Sequence, residues 1–117
     1  MAVQDLYMGL GALAYAVAKA DGQLHSAESR AIRELLEAEP FGDVARCAFT
    51  LKEFHNDSPE EAYQFALRYF EANKRFLDRQ RKFHFLRIAH TIADSHNDIS
   101  DCERALLDRL KADLETL

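Results

Sequence analysis

The chain has 117 residues, of which 48% are apolar and 30% charged, enough to build one domain with a real core and no metal or disulfide staple. Only four glycines and two prolines are present, too few turn formers for a many-stranded sheet, so long helices on short connections are expected. The net charge of −5 argues against a dedicated nucleic-acid binder.

The N-terminal stretch has a long apolar run but no basic region before it, and Asp5 interrupts its start. The run over residues 6–18 is 13 residues, too short to span a bilayer. Neither a signal peptide nor a transmembrane segment is expected, and a cytoplasmic protein is the default. A first helix is predicted over residues 2–20, with Leu6, Leu10, Leu13 and Val17 as one buried stripe. Its alanines (Ala14, Ala16, Ala18 and Ala20) would let a neighbour pack closely. Asp21-Gly22 ends it, because Gly22 can take the left-handed conformation that closes a helix.

A second helix is predicted over residues 26–38, burying Ala31, Ile32, Leu35 and Leu36 and stopped by Pro40 and Gly42. A third, over 43–54, places Val44, Cys47, Ala48, Leu51 and Phe54 on one face. Ser58, Pro59 and Glu61 then form a capping box with proline at the first helical position, the strongest local boundary in the chain. The fourth helix, over 59–73, buries Ala62, Phe65, Ala66, Tyr69 and Phe70. The fifth, over 75–93 with a break near Leu77 and Asp78, carries two apolar rows: Phe83, Leu86, Ala89, Ala93 and Phe85, Ile88, Ile92. Two rows make a wide face, so its second half is expected to be central. A second capping box, Ser100 with Glu103, opens the sixth helix, which runs to residue 114 with Leu106, Leu107, Leu110 and Leu114 inward. Cys47 and Cys102 lack any zinc spacing and read as small core hydrophobes in a reducing compartment.

An internal repeat organises these helices. Leu13, Ala16, Ala20 and Asp21 align with Leu86, Ala89, Ala93 and Asp94. After a two-residue insertion, Leu24 aligns with Ile99, Glu28 with Glu103, and Ala31-Ile32-Leu35 with Leu106-Leu107-Leu110. Each unit is an apolar helix, Ala-Asp, a polar loop, one aliphatic residue and an acid at the third helical position. The strings LAYAVAKADGQLHSAESRAIRELL and LRIAHTIADSHNDISDCERALLDRL resemble the TerB-like domain over nearly the whole chain. That resemblance implies a compact all-α bundle of six to seven helices with pseudo-twofold symmetry, usually bacterial. It also implies a non-catalytic binding or scaffolding role tied to tellurite or other stress, with protein partners and membrane-associated complexes. The second loop departs from the pattern, with Ser95 where glycine would sit.

Three constellations carry chemistry. Asp21, Glu28, Asp94, Asp98, Asp101 and Glu103 would converge if the two units pack face to face, and hard cations such as Ca²⁺ or Mg²⁺ prefer such oxygen clusters. Asp21, Glu28, Asp94, Asp98 and Glu103 are the candidate metal set. Val17 and Lys19 occupy the positions that should supply the first ligands of an EF-hand, which removes that motif and leaves helix capping as the competing role. His84, His90 and His96 cluster in sequence, and His90 and Asp94 share a helical face, but a convergent third ligand is lacking; structural or surface roles are expected. Residues 74–87 carry a net +5 against −10 on the rest of the chain. Their cations Lys74, Arg75, Arg79, Arg81 and Lys82 are either an ion-paired face or a surface for an anionic partner. No nucleophile elbow or phosphate loop is present, so no enzyme is expected.

Overall fold

A computed structural model describes residues 3–95 and 99–117. The described residues form six α-helices and one 3-10 turn, with no strand. The helices are α1 (Gln4–Lys19), α2 (Ser26–Glu37), α3 (Gly42–His55), α4 (Pro59–Ala72), α5 (Arg79–Ala93) and α6 (Asp101–Thr116). The 3-10 turn, Lys74–Phe76, ends just before Leu77 and Asp78, where the break in the fifth helix was predicted; Asp78 then caps α5, its Oδ1 accepting from the Arg81 N–H at 2.9 Å.

The centre of the bundle is α1. Leu6, Tyr7 and every residue from 9 to 18 are buried, as expected of a helix that is apolar or small all round. α3 and α4 clamp it over most of its length, α5 packs on it more lightly, and α2 and α6 touch it least. This corrects two expectations: α1 is buried on every side rather than along one stripe, and α1 rather than α5 is the central helix. Alanine and glycine between the large residues do not register as a hydrophobic face, yet they permit two helices to approach at once.

The approach of α3 to α1 explains a third correction. A methyl group on Gly11 would fall 2.1 Å from the Ala45 carbonyl oxygen and 2.8 Å from Ala48 Cβ. At that separation α3 can present only its small row, so Ala45, Ala48 and Phe49 are buried. Of the predicted face, Ala48 alone is buried; Cys47 is exposed, as are Leu51 (46%) and Phe54 (81%). Cys102 is exposed too, so neither cysteine is a core residue. In α2, Ile32 and Leu36 are buried while Ala31 is exposed; in α5, Phe85, Ile88, Ala89, Ile92 and Ala93 are buried while Phe83 is 63% exposed.

α4 begins at the predicted capping box: Ser58 Oγ accepts from the Glu61 N–H at 3.1 Å, and Glu61 Oε1 accepts from the Ser58 N–H at 3.0 Å. These bonds hold the Glu61 carboxyl below its usual range. α4 is stapled to α6 by Arg109, whose guanidinium donates to both oxygens of Glu60 at 2.6 and 2.8 Å and lies over the Tyr63 ring. Tyr63 itself donates to Asp113 at 2.5 Å. Hydrogen bonds from Arg109, and then from Gln64, pull the Glu60 carboxyl down to about 2. Its folded value lies below its ordinary value of 4.5, so its contribution is complete above that pH and is lost as pH falls towards 2. Melting temperature measured from pH 5 to pH 2 should therefore fall less steeply in Glu60→Gln than in the parent chain. Parallel curves would contradict the staple.

Candidate functional site

The two repeated units are visible as α1–loop–α2 and α5–loop–α6. Aligned residues share environments: Ala16 and Ala89 are buried, as are Ile32 and Leu107, and Leu24 and Ile99 both pack half-buried against the core. Glu28 and Glu103 are each the third residue of their helix. Glu103 closes a capping box, its Oε1 accepting from the Ser100 N–H at 2.8 Å while Ser100 Oγ accepts from the Glu103 N–H at 3.1 Å. His25 occupies the cap position of α2 and makes no side-chain cap bond; its Nε2 lies 4.0 Å from Glu28 Oε1.

The joint between the units is a cleft of about 330 Å³. Asp21, Glu28 and Glu103 line it, with Gln23 and His25 from the first loop. Its apolar floor is Ala18, Ile32 and Ile92. Gly22 takes φ +92° to turn the chain out of α1, and Asp21 Oδ1 accepts from the Gln23 N–H at 3.1 Å, fixing that carboxylate in the turn. Glu103 is buried and the Glu28 side chain is only 16% exposed. Glu28 and Glu103 are thus largely shielded from water, which strengthens their attraction for positive charge, while Asp21 is exposed.

Of the five candidate metal residues, three line this one cleft: Asp21, Glu28 and Glu103. Asp94 is exposed at the C-terminus of α5 and does not line the cleft. Asp101 is exposed at the start of α6. Asp98 and His96 lie outside the described residues. Among the described residues, no three His, Cys, Asp or Glu side chains come close enough to hold a metal ion. His25 and the floor residue Ile92 were not anticipated as site residues. The only signal for His25 was its position just before α2, one residue after the half-buried Leu24.

The remaining candidates are dispersed. His84 Nε2 lies 2.7 Å from Glu39 Oε1, tying α5 to the α2–α3 connection, and His90 is exposed. Lys74 pairs with Glu71 at 3.5 Å, and Arg75 lies 5.2 Å from the Phe76 ring centre. Arg81 donates to the Phe76 carbonyl at 2.9 Å and lies 3.9 Å from Asp78. Arg79 and Lys82 face elsewhere, into a groove between α5 and α6.

No helix among the described residues is long and apolar enough to cross a membrane. The family profile described as tellurite resistance protein TerB matches residues 8–115. No curated protein and no solved structure matches the chain.

Proposed function

The chain belongs to the TerB family, and from that membership we propose that it is a non-catalytic, cytoplasmic binding module of a bacterial stress response, with the acidic cleft as its ligand-taking part. One observation carries the reading: Asp21, Glu28 and Glu103, contributed by both units, line a single cleft whose floor is apolar. Carboxylates above hydrocarbon suit an aliphatic stem that ends in a positive head, which describes a lysine or arginine side chain of a protein partner. A volume of about 330 Å³ admits such a side chain.

The test is a triple variant, Asp21→Asn, Glu28→Gln and Glu103→Gln. It removes the cleft's charge while leaving oxygen acceptors for the Gln23 turn and the Ser100 cap. Partners recovered with the parent chain should be lost with this folded variant. Undiminished recovery would place the binding surface elsewhere.

A second reading is a weakly bound divalent cation, for which carboxylates lining the cleft would supply some of the oxygen ligands. It requires further oxygen ligands, from water or from a partner, because the described residues supply no ready cage. Titration with Ca²⁺ or Mg²⁺ would then shift amide resonances at Asp21, Glu28 and Glu103. No response at millimolar metal removes that reading. The link to tellurite is tested by tellurite tolerance after deletion of the gene.

A further inference from the structure

A second surface, independent of the cleft, lies between α5 and α6. Arg79, Lys82, Phe83 and Leu86 fall at helical spacings that put them on one face of α5. They line a groove of about 510 Å³ with Lys111 and Leu114 of α6. Leu86 and Leu114 supply its apolar wall, and Phe83 stands 63% exposed at its edge, an aromatic ring left largely in water. Arg79 and Lys111 have no ion-pair partner among the described residues, and Lys82 donates to the Leu117 carbonyl at 2.9 Å. Glu115 is the one acid among the lining residues, so three cations and one carboxylate give the groove a local charge of +2 on a chain of −5.

We infer that this groove docks an acidic amphipathic helix of a partner protein. Two parallel requirements select that occupant. The apolar wall needs a helix that presents leucine-like residues at spacings of three and four. The cations on both rims need carboxylates flanking that stripe, which would fix orientation and speed association. A lipid surface satisfies the charge but not the shape: Leu86 and Leu114 line the wall of a groove between two helices, where a planar headgroup layer does not reach. A nucleic acid satisfies the charge but has no use for the aliphatic wall.

The experiment uses the full chain and a fluorescein-labelled 18-residue helical peptide of leucine, alanine and glutamate with a single leucine stripe. Fluorescence anisotropy should show saturable binding. Arg79→Glu with Lys111→Glu should weaken it at least tenfold while the amide spectrum remains that of the folded chain; both residues are exposed. Phe83→Ala should weaken it as well. Amide shifts on binding should centre on Phe83, Leu86 and Leu114. The inference is overturned if the acidic peptide fails to bind at submillimolar concentration, or if a scrambled or a lysine-for-glutamate peptide binds equally well. It is also overturned if phosphatidylglycerol vesicles bind through Arg79 and Lys111 while the peptide does not.

Discussion

Phe85→Ala will cost about 3–5 kcal/mol of folding stability, a large part of the ~5–15 kcal/mol available to a domain of this kind. Phe85 is fully buried where α1, α4 and α5 meet. Its ring stands edge-on to Tyr7, with centroids 5.4 Å apart, and lies 5.6 Å from Phe70. Truncation removes both aromatic contacts and leaves a cavity that three packed helices cannot close. The melting temperature should drop by roughly 12–20 °C. The same substitution two residues earlier, Phe83→Ala, should change stability by no more than about 0.5 kcal/mol, because that ring faces the groove and the solvent. Paired thermal melts of the two variants decide the matter. Equal losses would mean that α5 is rotated about its axis relative to the structure described.

Gly11→Ala should destabilise the chain by about 2 kcal/mol even though alanine is the better helix former. The helix preference is worth about 1 kcal/mol in favour of the variant. Against it stands overpacking, at the upper end of about 1–3 kcal/mol. The added methyl would lie 2.1 Å from the Ala45 carbonyl oxygen, a backbone atom that no rotamer change can move. Relief therefore requires α3 to move away from α1, loosening Ala48 and Phe49 together. A denaturant midpoint that shifts down confirms the close crossing. An unchanged or raised midpoint would mean that α1 and α3 lie further apart.

Much of this architecture is legible in the sequence where local chemistry is decisive. The capping boxes at Ser58 and Ser100, the break before Asp78 and the third-position acids Glu28 and Glu103 are all found where their side chains predict. Each depends on a few neighbouring residues. The outward face of α3 could not be read, because its rows through Ala45 and through Leu51 both follow helical spacing. What chooses between them is the missing side chain at Gly11, on a helix 34 positions earlier. The same holds for the candidate site. The repeat correctly aligned Glu28 with Glu103, and they share a cleft. It also aligned Asp21 with Asp94, yet of these two only Asp21 lines the cleft. The apolar floor was invisible as a site feature, since Ala18, Ile32 and Ile92 read as ordinary core.

The cleft between the two units is proposed to take a positively charged side chain. The most direct measurement is an amide-shift titration of the chain with a short blocked peptide carrying one arginine, compared with the same peptide carrying citrulline. Saturable shifts are expected at Asp21, Gln23, Glu28 and Glu103 for the arginine peptide alone, with their loss in the variant with Asp21→Asn, Glu28→Gln and Glu103→Gln. Shifts absent from these positions, or unaltered by neutralising the three carboxylates, would contradict it.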